Sequence, residues 1–354
     1  MVMDDLSRPA GNGRIQLIGA AVALVAVAGL TVYAVKSKSD PASPVQAVSS
    51  ATAPVGAPAP VPKADELQFE RQTGPNRTVV KDQQGAVVAT LTDGARTATV
   101  RGPLRTFREQ KFTAHYVDSS TWVRLLPQAW RAGQEQTDSF RQWLTKALSD
   151  TSPDALAVAF EYADGAPAEK DTQGVRFRGD AAYGPVSSGA QGRLENNDFI
   201  DYLGIDFTYP DIGRKTTRAD RFGAADCSGY LRLVYGYRLG FPLLGGNDAG
   251  PGLPRRAFAM ATVGPGAVIS SSSAGRPSSL GALLPGDLLF FEIDPNSDGL
   301  DHSAIYLGTD EQGKHRFISS RIRANGPTMS DVGGASLIGD TGFYSDGLRV
   351  IKRI

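Results

Sequence analysis

The chain has one cysteine in 354 residues. No intramolecular disulfide can form, so the even-cysteine framework of a small secreted scaffold is excluded. Charge of one sign is lacking too: 37 Lys and Arg against 37 Asp and Glu give a formal net charge of zero. There is no long basic run, and without that footprint a nucleic-acid partner is excluded. No cysteine stands near the N-terminal apolar run, which excludes lipoprotein anchoring there. What is present is ordinary. Apolar residues make up 41% of the chain, enough for a sizeable core, and the length predicts one to three domains.

Residues 1–14 are polar, carry Arg8 and Arg14, and read as a cytoplasmic tail. Ile15 to Val35 is uncharged and apolar. At ~1.5 Å per residue it just spans a hydrocarbon core of ~30 Å. It outruns the ~7–15 residues of a signal-peptide core, so it reads as an uncleaved transmembrane anchor, although Ala26-Val27-Ala28 mimics a cleavage site. Residues 36–63 form a linker in which Pro41, Pro44, Pro54, Pro58, Pro60 and Pro62 alternate with Ala, Ser and Val. Fully extended, it reaches on the order of 80 Å.

Residues 64–149 predict a β-rich module. Thr78-Val79-Val80, Ala86 to Thr90 and Thr97 to Val100 are short β-prone runs, with Gly85 and Asp93-Gly94 supplying turns. Thr121 to Leu126 makes a further strand. Trp122 and Trp130 read as core before they read as a glycan platform. Gln134 to Leu148 is amphipathic, with Phe140, Trp143, Leu144 and Ala147 on one helical face. A second helix is expected from Pro153, with Leu156, Ala159, Phe160 and Ala163 at helical spacing.

The chemistry concentrates at Asp226-Cys227-Ser228-Gly229. Asp226 is a good N-cap, and Leu231, Val234 and Tyr235 follow at helical spacing. Cys227 then sits in a first helical turn, where unpaired N–H groups and the helix dipole favour a thiolate. That placement predicts a thiol pKa below the free value of ~8.5. Two short apolar runs follow: Leu284-Pro285-Gly286-Asp287-Leu288-Leu289-Phe290-Phe291, then Asp301-His302-Ser303-Ala304-Ile305-Tyr306-Leu307-Gly308. Both read as strands, with His302 opening the second. A helix-borne cysteine and a strand-borne histidine are the parts of a thiolate nucleophile and its base. Asp294 to Gly299 opens like an EF-hand loop, but Ile305 stands where the bidentate Glu belongs. It reads as a hairpin turn, and no metal or cofactor is assigned.

These three motifs, in this order, resemble the NlpC/P60 family of papain-like cell-wall peptidases over residues 150–354. The resemblance implies an α+β class, a papain-like domain of helices against an antiparallel sheet, with the β-rich module and transmembrane helix ahead of it. It implies a cysteine peptidase acting on peptidoglycan stem peptides, with the C-terminal part on the wall side of the cell membrane. No protein partner is indicated. Cys227 is the nucleophile and His302 the base. The third catalytic position, which orients the histidine, falls on Ser319 in Arg316-Phe317-Ile318-Ser319-Ser320-Arg321, with Asn325 as a fallback. His315 is expected to face solvent. Asp226, Ser228, Tyr209 and Arg321 are the expected substrate-binding residues; arginine can hold a stem-peptide carboxylate bidentately. The tyrosine often found near the thiolate in this family falls on Phe207, with Tyr209 as its substitute. Two alternatives stand beside this: a thiol acyltransferase, and a tethered wall-binding or scaffold protein with a weakened site.

Overall fold

β-branched runs broken by glycine turns make the first sheet. The computed structural model describes residue 62 and residues 66–109, 111–187, 192–297 and 299–354. The expected tail at 1–14, the anchor at 15–35 and nearly all of the 36–63 linker lie outside these residues. The first sheet is a five-stranded antiparallel meander in chain order: β1 (Gln68–Gln72), β2 (Arg77–Lys81), β3 (Val87–Thr92), β4 (Thr97–Arg108) and β5 (Tyr116–Leu125). The apolar stripe expected after Gln134 forms helix α1 (Asp138–Ser149), capped by Thr137, whose side chain accepts from Phe140 N–H. Phe140, Leu144 and Ala147 bury one face of α1 against Val80, Leu91, Trp122 and Trp130. Both tryptophans are core residues, as expected, less than 3% exposed.

The middle of the chain is short pieces. Helix α2 (Ala155–Phe160) is followed by hairpin β6 (Glu169–Lys170) and β7 (Arg176–Arg178), helix α3 (Phe199–Leu203), and hairpin β8 (Phe207–Tyr209) and β9 (Gly213–Lys215). Helix α4 (Cys227–Leu231) continues as a wider π-helical turn over Arg232–Arg238, and α5 (Ala257–Thr262) follows. The second sheet has seven strands: β10 (Ala267–Ser271), β11 (Leu288–Phe291), β12 (His302–Thr309), β13 (His315–Arg321), β14 (Gly326–Thr328), β15 (Leu337–Ile338) and β16 (Leu348–Arg353). Its order is β10-β16-β11-β12-β13-β14, with β15 also on β13, and each of these pairings is antiparallel. Helix α6 (Phe343–Gly347) leads into β16.

The expected α+β, papain-like class is overturned. Strand takes 32% of the described residues against 19% for helix, in several antiparallel sheets. The helical spacing read from Pro153 is cut short: α2 lasts six residues before a turn at Asp164-Gly165. Among the described residues no helix is long and apolar enough to cross a membrane.

Alternation along β12 divides the core. Ile305 and Leu307 join Ile318, Leu288 and Phe290 in the cluster that packs on α2, α4 and the β4–β5 residues Phe107, Val117 and Val123. Ala304 and Tyr306 face the other way, with Phe291, Phe317 and Tyr344. Along Cys227–Arg238, Tyr230, Leu231, Leu233, Val234 and Tyr235 are all fully buried. Each such side chain contributes about 1.5–3 kcal/mol by removal from water. Buried ion pairs tie the sheets together. Arg105 pairs with Asp154 at 2.7 Å, and that carboxylate also caps α2 through Ala157 N–H and accepts Val123 N–H. Arg353 pairs with Asp287 of the Pro-Gly-Asp turn at 2.7 Å and donates to Thr92 Oγ1.

Candidate functional site

Asp226 caps α4 as expected, its Oδ1 accepting Gly229 N–H at 2.7 Å. Gly229 is needed for packing: a Cβ there would stand 2.2 Å from the Asn197 carbonyl. The close approach is sealed by Asp226 N–H, which donates to that same carbonyl at 2.9 Å. Beneath the cap lies a buried charge network. Arg255 donates to Asp226 Oδ2 at 2.8 Å and to Ser228 Oγ at 2.7 Å. Arg232 holds Asp198 at 2.8 Å and donates to the Leu244 and Leu253 carbonyls. Together Arg232 and Arg255 hold the Asp198 carboxyl below the usual carboxylate range, against the burial that pushes the other way. Asp226 and Ser228, expected to bind substrate, are instead 4% and 3% exposed and spent on this scaffold.

The thiol of Cys227 is buried and donates to the Asp301 carbonyl at 3.7 Å. Burial, and then the neighbouring Asp226 charge, push it up to about 12, while the Ser303 hydroxyl and N–H pull the other way. The expected activated thiol is therefore corrected. A helix start favours a thiolate by about 0.3–1 kcal/mol where exposed, and this site is neither exposed nor free of a neighbouring anion.

His302 lies between the two residues that meet the sulfur, but its ring takes the other face of β12. It packs on Phe291 and Tyr344, with ring centroids 5.9 and 5.3 Å away. Its Nε2 is buried and has no hydrogen-bond partner among the described residues. Burial, and then the Arg321 cation, lower the imidazole to about 3. Cys227 and His302 are thus brought to the same strand end, both neutral near pH 7, without a hydrogen bond between them.

Ser319 is fully buried, and its Oγ accepts from Arg321 Nε at 2.9 Å. It stands near His302 through Arg321, whose guanidinium lies on the Tyr344 ring as the imidazole does. Arg321, expected to hold a substrate carboxylate, is 2% exposed and its guanidinium is filled by internal acceptors, so that role is corrected. Tyr209 is corrected likewise: it is 1% exposed and donates to Asp198 Oδ2 at 2.9 Å. Phe207 packs edge-on to Phe199, away from the sulfur's contacts. Asn325 serves the backbone of Tyr183 through its Oδ1 at 3.3 Å. His315 is half-buried and bonded to Tyr306 Oη at 2.6 Å, where solvent exposure was expected.

Two tyrosines, Tyr183 and Tyr344, lie within electrostatic reach of the thiol, and neither was expected there from the sequence. Burial, and then the charge that Cys227 would carry, raise the Tyr183 phenol above the ordinary range. Its hydroxyl donates to Glu195 at 2.9 Å. It is placed by Ala182, whose N–H donates to the Gly223 carbonyl at 2.9 Å and whose carbonyl accepts Ala225 N–H at 2.8 Å. No sequence spacing links Tyr183 to Cys227; only this long-range pairing does.

No family model, curated protein or solved structure matches the chain.

Proposed function

We propose that this protein is a cysteine peptidase of the cell wall, hydrolysing peptide bonds in peptidoglycan stem peptides. The observation that carries the proposal is the strand end 301–303. Its Asp301 carbonyl receives the Cys227 thiol at 3.7 Å, and its His302 Nε2 is buried and unpartnered among the described residues. A buried polar atom left without a partner costs about 1–3 kcal/mol, and an approaching proton donor relieves that cost. The chemistry starts from neutral groups. Reaction requires the S–H to leave the Asp301 carbonyl and the His302 ring to turn from Phe291 and Tyr344 toward the sulfur. The imidazole takes the proton, and the sulfur attacks the amide carbonyl. By helix geometry the N–H of Cys227 has no intrahelical partner and is free to donate to the oxyanion. The imidazolium returns its proton to the leaving amine, and water hydrolyses the thioester.

The substrate class comes from the motif resemblance to NlpC/P60 peptidases, as does the wall-side placement at the membrane through residues 15–35. The test is digestion of peptidoglycan by the full chain, with released muropeptides identified by mass. Release by wild type and none by Cys227→Ala supports the reading; equal release by both overturns it. A second reading has its own observation. The raised thiol and lowered imidazole suit a wall-binding protein with a weakened site. Wall binding undiminished in Cys227→Ala, with no release by wild type, favours that one.

A further inference from the structure

Arg321 is a buried cation without an acid. Its Nε donates to Ser319 Oγ, and its Nη atoms donate to the carbonyls of Ser330, Val332 and Gly334 and to Ser336 Oγ. Every one of these acceptors is neutral. Among the described residues it makes no ion pair, unlike the buried Arg105, Arg232, Arg255, Arg316 and Arg353. Burying a guanidinium this way leaves its desolvation uncompensated by an opposite charge. A merely structural role would be filled more cheaply by an apolar side chain of similar volume.

Its position gives that cost a use. His302 opens β12 and Arg321 closes the neighbouring strand β13. Both lie on the Tyr344 ring, the imidazole at 5.3 Å between centroids and the guanidinium at 4.4 Å. The other charged groups that reach Arg321 are Glu109 at the end of β4, Asp331 after β14, the Tyr344 hydroxyl and the like-charged Arg316. Glu109 is a weak counter-charge, because burial raises its carboxyl toward the protonated form while Thr328 Oγ1 and Met329 N–H bind it. Asp331 is held by Arg316 at 3.3 Å. Tyr344 in turn faces Cys227 closely enough for a charge there to oppose its ionisation.

We infer that Arg321 is a positioning residue of the proposed reaction: an unneutralised guanidinium that shares the Tyr344 ring with His302 and opposes imidazolium, so that a proton taken from Cys227 passes readily on to the leaving amine. The inference rests on the Cys227–His302 reading above. Ser319 then holds the guanidinium in place and leaves His302 to it.

The test is a histidine NMR titration of the full chain, which has three histidines, with His302 assigned by its absence in His302→Gln. Wild-type His302 should stay neutral until the pH falls well below 5. Arg321→Gln should titrate higher by about one pH unit, the scale of one nearby charge. Arg321→Lys, which keeps the charge and loses the fork, should stay within about half a unit of wild type. No movement in Arg321→Gln overturns the inference, and so does a Lys variant that moves as far as Gln. Should Arg321→Gln fail to fold, Arg321→Met keeps the stem on Phe317 and Tyr344 and carries the same expectation, while the Lys variant alone can still refute it. The titration needs no peptidase activity. A shift without muropeptide release upholds the electrostatic assignment and overturns the reaction; release without a shift does the reverse.

Discussion

Lowering the pH from 7 to 4 should destabilise this protein through one imidazole in particular. In the fold His302 is depressed from 6.5 to about 3, first by burial and then by Arg321. The unfolded chain therefore binds a proton near pH 6.5 that the native state refuses until about pH 3. More protons on the unfolded side mean that stability falls as pH falls across this window, and is fully retained above it. Between 6.5 and pH 4 lie about two and a half units, each worth about 1.4 kcal/mol, so the loss is about 3 kcal/mol. Carboxylates such as Asp198 add their own loss below about pH 4, so wild type alone does not isolate the imidazole. His302→Leu does, because it keeps an apolar contact with Phe291 and Tyr344 and cannot titrate. Urea denaturation of both proteins at pH 7, 5.5 and 4 gives their stability difference at each pH. That difference should shift toward the leucine variant by about 3 kcal/mol from pH 7 to 4. A difference constant across the range would mean that His302 is protonated in the fold at its ordinary value, and the neutral-pair account of the site would fail.

Further expectations follow from the same geometry. Arg255→Met strands the Asp226 carboxylate in a buried site and should cost about 3–5 kcal/mol in urea denaturation; a loss under 1 kcal/mol would show that the network does not support the cap. Gly229→Ala drives a Cβ into the Asn197 carbonyl and should destabilise by about 1–3 kcal/mol or more, read as a lowered melting temperature. Cys227 is the sole thiol, so alkylation reports it directly; at pH 7.5 iodoacetamide should modify the folded chain at least about a thousandfold more slowly than the urea-unfolded chain, and equal rates would contradict the buried neutral thiol. Ser319→Ala should lower stability by about 1 kcal/mol, the loss of one acceptor for Arg321, and turnover of a stem peptide less than about tenfold; a hundredfold fall would return Ser319 to the histidine.

The start of the Cys227 helix was legible because its signals are local. An N-cap, a first-turn cysteine and apolar residues at i, i+3 and i+4 are read from neighbours alone, and so are the strands at Leu288 and His302. Fold class was harder to read. The stretch after Pro153 has helical spacing but only six helical residues, because a turn at Asp164-Gly165 follows and the chain returns as a hairpin. The roles of Asp226, Ser228, Tyr209 and Arg321 were misjudged for one reason. Polar residues beside a nucleophile look available in a sequence, and the partners that consume them, Arg255, Asp198 and Ser336, stand 11 to 29 residues away. The face taken by His302 depends on strand phase, which a single residue decides: Ser303 meets the sulfur and His302 does not. Tyr183 reaches Cys227 only through tertiary pairing, which leaves no periodic trace.

The central claim is that the Cys227 sulfur becomes acylated by a peptide. Mixing the full chain with a stem peptide, quenching in acid within one turnover and weighing the intact protein tests it directly. The account predicts an added mass equal to the acyl fragment, mapped to Cys227 and absent from both Cys227→Ser and His302→Ala. Muropeptide release that proceeds with no adduct on Cys227, and equally well in Cys227→Ala, would contradict it.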